Sequence, residues 1–439
     1  MDIKFSLNKG VCFRKYGNQC YVWNIPNKNE YIFNDVVYTI LSTISAKKIL
    51  YFSEFMKLLS EKYDISDCTE DIKNFINYLI EVNILHSYVS NDLSIEDTIS
   101  QQVYEDKCLF SVLFELTYKC NEKCVHCYVD SFLPNKKREI STIDAKKIID
   151  NLYHANVAEI TFSGGEIFAR KDSLDIIEYA SQKGFLIDIF SNATLLDNDS
   201  ILRLAQCNIK SFHASIYGSN AELHDSITGI RGSFDKTVKV LKILNNLGIT
   251  TCIKTTVMKE NCQDYPNLIK LAESLQCDIQ IGMSIIPTMK KSTQHLEHRA
   301  NKNELLLINM GESKRHNSEI IEGYNDLDTS ICNAGHSHIS INPYGEVVLC
   351  VGFDVSIGNA VTDDILDLWN NSGFLMNWRR KTKRDISCKT NCELAPYCSF
   401  CPAQAYLETD SYVEKYSEAC TLAEIEKKTR EVLRNETAN

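Results

Sequence analysis

Three neighbouring cysteines are spaced to hold one face of an iron–sulfur cluster. They lie in the stretch Cys120-Asn-Glu-Lys-Cys124-Val-His-Cys127, with three residues in the first gap and two in the second. Three thiolates can ligate three irons of a [4Fe–4S] cubane and leave the fourth iron open to a small chelating molecule. The alternative is a structural zinc site, which needs a fourth Cys or His and usually shows paired CxxC motifs.

Two short polar motifs follow at the ends of predicted strands. They are Ser163-Gly-Gly-Glu166 and Ser191-Asn-Ala-Thr194. Glycines permit close approach of the backbone, and a carboxylate can accept a hydrogen bond from a ligand ammonium. Because the loops after strand ends build the active site in barrels of βα units, we expect both motifs to lie beside the cysteine loop.

A second group of cysteines lies in the last quarter of the chain. Its seven members are Cys332, Cys350, Cys388, Cys392, Cys398, Cys401 and Cys420. In a reducing compartment metal ligation explains such a density better than disulfides, and a pair of zinc knuckles is the alternative to iron–sulfur clusters. The eight remaining cysteines have no ligand spacing, so we interpret them as small buried side chains or idle thiols.

The three-cysteine loop and the two polar motifs resemble those of the radical S-adenosylmethionine (SAM) superfamily, over roughly residues 108–286. That family has a CxxxCxφC loop, in which φ is aromatic, and a GGE motif. The resemblance implies that Cys120, Cys124 and Cys127 hold a [4Fe–4S] cluster, which cleaves SAM to a 5′-deoxyadenosyl radical that abstracts a substrate hydrogen. It implies that the GGE motif holds the methionine amino group and that the later serines and asparagine contact the ribose or carboxylate. The residues so assigned to SAM are His126, Gly164, Gly165, Glu166, Ser191, Asn192 and Ser215.

The later cysteines resemble the SPASM extension of radical SAM enzymes, which binds two auxiliary [4Fe–4S] clusters. The usual spacing CxxCx5CxxxC appears here with its first and third gaps exchanged. The resemblance implies one cluster on Cys388, Cys392, Cys398 and Cys420, and another on Cys332, Cys350 and Cys401. The second set is one thiolate short. An open iron that takes a substrate thiolate, the imidazole of His338, or another cysteine would complete it.

The elements that must position these residues follow from the hydrophobic pattern. Six β-rich runs alternate with amphipathic helical stretches, which is typical of βα units on a parallel sheet. We therefore predict an α/β fold, with a partial barrel of six βα units over residues 108–300. The predicted strands are Val112–Leu116, Glu159–Ser163, Leu186–Ser191, Lys210–Ser215, Thr251–Val257 and Asp278–Ser284. Residues 301–331 are predicted to form a bridging region. Residues 332–439 are predicted to form the SPASM domain, with a C-terminal helix near Leu422–Arg434.

The first 88 residues form a separate predicted unit. Three strand-like segments, ending with Glu30–Phe33, precede three helical patterns, the last over Thr69–Leu85, as in a winged-helix-like module. Ten Lys or Arg balance ten Asp or Glu, so the module is a poor binder of nucleic acid. It resembles the PqqD-like recognition element of peptide-modifying enzymes, which implies a leader peptide added as a strand beside the third strand. Residues 89–107 are a predicted linker.

Composition places the chain in the cytoplasm. The formal net charge is −11, and no run of 18 apolar residues could span a bilayer. The N-terminal stretch is too charged for a signal peptide. We expect neither a membrane nor a nucleic acid as a partner.

Together these parts predict a maturase that crosslinks a ribosomally made precursor peptide, preferably by thioether bonds to cysteine. The implied cofactors are SAM and three [4Fe–4S] clusters, and an external donor such as flavodoxin or ferredoxin supplies electrons. The catalytic base is not assigned. Carbon–carbon crosslinking and formylglycine formation on a sulfatase are the enzymatic alternatives. A redox-sensing winged-helix regulator and a zinc-held scaffold are the other classes.

Overall fold

The computed structural model describes four parts of the chain. These are residues 4–87 without 9, 26–27, 46–49, 62, 64 and 66–67, and then residues 108–129, 137–316 and 326–437. The predicted linker 89–107 lies outside the described residues, as does the middle of the bridging region, residues 317–325.

A sheet of nine strands forms the centre of the molecule, in the order β12-β11-β10-β9-β8-β7-β13-β14-β15. Strands β7 to β12 are all parallel and follow one another along the sheet, with helices between them. The predicted α/β fold with a partial six-stranded barrel is therefore confirmed. The strands are β1 Lys4–Leu7, β2 Val11–Tyr16, β3 Gln19–Asn24, β4 Asn29–Asn34, β5 Leu50–Tyr51, β6 Leu85–Ser87, β7 Ser111–Thr117, β8 Glu159–Gly164, β9 Leu186–Ser191, β10 Ile209–Ser215, β11 Thr251–Thr256, β12 Asp278–Gly282, β13 His338–Ile341, β14 Glu346–Val348 and β15 Gly358–Asn359.

Helices cover the outer face of this sheet. The apolar residues of β7 that face them are Val112, Phe114 and Leu116, which belong to one core with Ile148 and Ile149 of the helix after β7. Because successive side chains of a strand point to opposite faces, the odd-numbered residues of β7 face the barrel interior. The helices are Asp35–Ser45, Phe52–Ser60, Thr69–Glu81, Thr142–His154, Ser173–Gln182, Asn198–Leu204, Ala221–Thr228, Ser233–Asn246, Tyr265–Leu275, Lys302–Arg315, Ile365–Asn371, Gly373–Trp378, Pro402–Thr409 and Ser417–Thr437.

The N-terminal unit contains two small antiparallel sheets and three helices. Strands β2, β3 and β4 form one sheet, and β1 lies between β5 and β6 in the other. The last helix ends at Glu81 rather than at Leu85, because Asn83 has a left-handed φ of 56° and the chain then enters β6. The unit packs on the amino ends of the barrel strands, where the Tyr16 hydroxyl donates to the carbonyl oxygen of Asn156 at 2.8 Å.

The C-terminal region extends the barrel sheet. Strand β13 pairs in parallel with β7, so that His338 lies opposite Ser111, and β14 and β15 follow as antiparallel neighbours. The last helix begins at Ser417, earlier than the predicted Leu422, and therefore contains Cys420. Within the described ranges, no helix has the length and apolar character needed to cross a membrane.

Candidate functional site

The three-cysteine loop leaves the end of β7 and is held by backbone hydrogen bonds to a distant helix. The amide of Lys123 donates to the carbonyl oxygen of Thr228 at 2.8 Å, and that of Val125 donates to the carbonyl oxygen of Ile227 at 3.1 Å. Both acceptors lie at the end of the helix Ala221–Thr228. The loop thus has a fixed backbone on which its thiols can be arranged before a ligand arrives.

The thiols of this loop are half-buried and lie near one another. Burial, with smaller contributions from the acidic groups Glu166, Glu122 and Cys127, raises the pKa of Cys120 to about 12. Burial also raises the pKa of Cys124, with contributions from Glu122, Cys127 and Cys120. Such thiols keep their protons at neutral pH unless a cation replaces them. A positively charged cluster of iron ions, bound with release of these protons, therefore fits this donor set.

Two glycines bring the end of β8 against the start of the cysteine loop. A Cβ atom on Gly164, whose φ is +145°, would lie 2.2 Å from the carbonyl oxygen of Thr117. A Cβ atom on Gly165 would lie 2.5 Å from that of Lys119. Because neither residue has a Cβ atom, the Gly165 amide can donate to the carbonyl oxygen of Thr117 at 2.7 Å, and the Glu166 amide to that of Lys119 at 2.8 Å. Glycine is therefore required here by close backbone approach.

The Glu166 side chain joins the ends of β8 and β9. It is fully buried, and its carboxylate accepts hydrogen bonds from the Ser191 hydroxyl at 2.8 Å, the Asn192 amide at 2.6 Å and the Phe168 amide at 3.0 Å. Burial raises its pKa, whereas these donors lower it. Three residues assigned to SAM by the resemblance thus lie in one hydrogen-bonded group, and their contact with SAM stays a prediction.

The second polar motif lies against the cysteine loop, as the sequence predicts. The Asn192 side chain donates to Asn121 Oδ1 at 3.0 Å, and Asn121 Nδ2 donates to the Thr194 hydroxyl at 2.8 Å. Asn121 follows the first cysteine directly and was not singled out from the sequence, because only its position between two motifs reveals its role.

His126 and Ser215 meet at Tyr217. The His126 ring lies 4.5 Å from the Tyr217 ring, edge to face, and the Ser215 hydroxyl is hydrogen-bonded to the Tyr217 hydroxyl. Burial lowers the pKa of His126 to about 4, so the imidazole is neutral at physiological pH. The aromatic position of the cysteine loop is thereby packed against the end of β10.

Four of the later cysteines line one small cavity. Its walls include Cys388, Cys392, Cys398 and Cys420, the set that the resemblance assigns to one auxiliary cluster. The buried Lys389 lies in the same wall, and its ammonium donates to the carbonyl oxygen of Cys398 at 2.9 Å. A buried cation beside four thiols compensates part of the negative charge that thiolates bring.

The remaining three cysteines also come together. Burial, with smaller contributions from the nearby Cys401 and Cys332, raises the pKa of Cys350 to about 11. Gly352 permits this approach, because a Cβ atom there would lie 2.6 Å from that of Ala403, two residues after Cys401.

His338, one of the three candidates for the missing ligand, has one of its two ring nitrogens beside β7. Its Nδ1 lies 3.1 Å from the Ser111 hydroxyl, and burial lowers its pKa to about 4. As the side chains stand, no three Cys, His, Asp or Glu groups in the described part of the chain are close enough to share a single metal ion. Cluster ligation by the ten cysteines stays a prediction.

The models of two protein families match this chain, one over the barrel and one over the region of the later cysteines. Residues 114–272 match the model of the radical SAM superfamily, and residues 332–402 match that of an iron–sulfur cluster-binding domain, SPASM. The first match covers most of the predicted barrel and ends before β12, and the second begins at Cys332.

Relatives of known sequence and structure agree with these matches. The chain is 28% identical over 311 residues to the antilisterial bacteriocin subtilosin biosynthesis protein AlbA of Bacillus subtilis (strain 168), which covers 66% of this chain and 66% of that protein. It is 26% identical over 330 residues to an AdoMet-dependent heme synthase of Methanosarcina barkeri (strain Fusaro / DSM 804), which covers 69% of this chain and 94% of that protein. Streptococcus suis SuiB bound to its precursor peptide SuiA shares the fold, with a TM-score of 0.62 and 16% identity over 95% of this chain and 99% of that chain.

Proposed function

Because the chain carries a radical SAM domain followed by a SPASM domain, we propose that it is a maturase that forms cysteine thioether crosslinks in a ribosomally made precursor peptide. One observation carries the proposal. The Tyr128 hydroxyl lies within electrostatic range of both Cys127 and Cys350. An oxidative crosslink needs a site that accepts an electron near the site that generates the radical, and this shared neighbour of the two cysteine groups supports such an arrangement.

The chain's own residues would hold SAM and the clusters. When bound, SAM and its cluster supply a 5′-deoxyadenosyl radical that removes a hydrogen atom from the peptide. The Cys120, Cys124 and Cys127 thiolates hold that cluster, and the motifs that end β8, β9 and β10 hold SAM. The later cysteines would hold two auxiliary clusters, one of them on Cys332, Cys350 and Cys401. A flavodoxin or ferredoxin is the proposed electron donor.

The test is mass spectrometry of a short cysteine-rich peptide encoded beside this gene. After anaerobic incubation with reconstituted enzyme, SAM and reductant, we expect a loss of two hydrogens for each crosslink. Each thioether also removes one thiol that iodoacetamide would alkylate. A loss of two hydrogens with every thiol still alkylatable would replace the thioether with a carbon–carbon crosslink. An unchanged peptide with SAM cleavage intact would contradict peptide crosslinking altogether.

The N-terminal unit is the proposed recognition element for the leader of that peptide. Strand β4 has only β3 as a strand neighbour among the described residues, so its other edge is open to an added strand. The helix Thr69–Glu81 lies beside this edge, where Phe33 of β4 packs edge-on against Phe75 at 5.8 Å and Tyr78 at 6.3 Å between ring centroids. Backbone groups of β4 and this aromatic wall would together form the leader site.

Hydrogen exchange measures this strand addition directly. Adding the precursor peptide should slow exchange of the amides of Asn29–Asn34, because an added strand gives them new hydrogen bonds. The amides of Val11–Tyr16, at the other edge of the same sheet, serve as the control and should keep their rates. Unchanged rates at Asn29–Asn34 with a saturating peptide would place the leader elsewhere.

A further inference from the structure

A buried carboxylic acid faces the barrel interior near the end of β7. Glu115 is on β7, on the face opposite the residues that enter the apolar core, and it is only 1% exposed. In the sheet register it lies opposite Ser163, the residue that precedes the two glycines. The side chain is therefore at the same rim as the motifs proposed to bind SAM.

Only half of this carboxyl group has a partner. The Tyr118 hydroxyl donates to Oε2 at 2.9 Å, whereas Oε1 is buried and has no hydrogen-bond partner in the described part of the chain. A buried polar atom without a partner usually costs about 1–3 kcal/mol of stability. Such an atom calls for an explanation, and a catalytic role is one.

The surroundings of Glu115 bring the pKa of its carboxyl group close to neutral pH. Burial raises the pKa of Glu115 to about 7, and the hydrogen bond from Tyr118 opposes this increase. The titratable groups that interact with it are Tyr118, Tyr128 and Tyr344, which are all uncharged at neutral pH. A carboxyl group with such a pKa can both accept and release a proton at physiological pH.

Tyr128 relates this group to the two proposed cluster sites. Its hydroxyl is within electrostatic range of Glu115, Cys127 and Cys350 together. Glu115 thus shares a neighbour with one cysteine of each group. Of the other buried carboxylates beside the loop, Glu166 accepts three donors. Glu122 also has an unpartnered Oε1 and a pKa that burial raises to about 7, but it accepts the Cys124 thiol and so belongs to the cysteine loop itself.

We propose that Glu115 is the catalytic residue that accepts the proton released when the crosslink forms, an inference that rests on the function proposed above. The peptide carbon first loses a hydrogen atom to the 5′-deoxyadenosyl radical, which becomes 5′-deoxyadenosine. The cysteine sulfur then bonds to this carbon and its S–H bond breaks. The thiol proton passes to Oε1 of Glu115, and an oxidised auxiliary cluster held by the later cysteines would supply the one-electron oxidant that takes up the surplus electron. The two hydrogens lost by the peptide are thus one atom on 5′-deoxyadenosine and one proton with its electron.

The variant Glu115→Gln tests this role, because it keeps the size of the side chain and an oxygen for the Tyr118 hydroxyl but cannot take up a proton. We expect the rate of crosslinking to fall by about 10²- to 10⁴-fold, the usual contribution of a general base. A substrate deuterated at the attacked carbon should still transfer deuterium to 5′-deoxyadenosine. Glu115→Asp should recover part of the crosslinking rate, and Glu178→Gln, on an outer helix paired with Arg203, should match the wild type.

Infrared titration of the reconstituted protein gives a readout that does not depend on turnover. The wild type should show a protonated carboxyl band that weakens as the pH rises through neutrality. Glu115→Gln should show a smaller band, because burial raises the pKa of Glu122 to about 7 as well and its share of the band remains. A wild-type crosslinking rate in Glu115→Gln would overturn the proposal, as would a parallel loss of deuterium transfer and thermal stability. If the wild-type enzyme itself forms no crosslink, the proposed function fails instead.

Discussion

Replacing Cys124 with alanine should abolish the formation of 5′-deoxyadenosine while most of the iron stays in the protein. Cys124 is the middle thiolate of the three-cysteine loop, and two thiolates cannot hold a cubane that also keeps an open iron for SAM. If all three sites carry cubanes, reconstituted wild type should contain about twelve irons per chain and Cys124→Ala about eight. Chromatography of the nucleoside product and an iron assay on the same samples check both numbers.

The control for this experiment is Cys68→Ala. Cys68 is exposed and precedes the helix Thr69–Glu81 without capping it through its side chain, so both the iron content and the SAM cleavage of this variant should equal those of the wild type. Retained 5′-deoxyadenosine formation in Cys124→Ala would disprove the assignment of the three-cysteine loop. A wild-type iron content near four would remove the auxiliary clusters from the proposal.

Replacing Gly165 with alanine should reduce SAM cleavage by about 10²-fold without loss of the auxiliary iron. The added methyl would lie 2.5 Å from the Lys119 carbonyl oxygen and 2.7 Å from that of Tyr118, which are backbone atoms that cannot rotate away. The turn must then move away from the cysteine loop, and displacement of a reactive group by about 1 Å commonly costs about 10²-fold in rate. The initial rate of 5′-deoxyadenosine formation with saturating SAM measures the effect.

Gly373→Ala is the matched control. A Cβ atom there meets nothing within 4 Å, and the residue begins the helix Gly373–Trp378, where alanine is favourable. Its activity and iron content should be unchanged. Equal rates for Gly165→Ala and Gly373→Ala would show that the close approach of β8 to the cysteine loop has no catalytic consequence.

The local parts of this fold could be predicted from the sequence, because they are encoded within short windows. The period of apolar residues identified all six barrel strands to within about two residues at either end, and the loops after them located Gly164–Glu166 and Ser191–Asn192 at one rim. The resemblance to the SPASM extension grouped the four cysteines that line one cavity.

The parts that could not be predicted depend on contacts between distant residues. Nothing in the window around His338 indicates that β13 joins β7, since Ser111 lies 227 positions away. The helix Lys302–Arg315 was not assigned because its pattern is only weakly amphipathic, and it is stabilised by contact with the C-terminal helix, where Asn309 donates to the Thr429 hydroxyl at 3.0 Å. Glu115 was not recognised for a related reason, because a glutamate within a strand is ordinary until its burial and its unpaired oxygen are known.

The pairing of β13 with β7 also has a consequence for synthesis of the chain. The 227 positions between Ser111 and His338 take about 10–45 s to translate at about 5–20 residues per second. During that interval β7 is an uncovered sheet edge, and such edges recruit other chains. The strand that leads into the cysteine loop is therefore vulnerable to aggregation on the ribosome until the C-terminal third emerges, and slow, cool expression with an ample iron supply should increase the yield of intact protein.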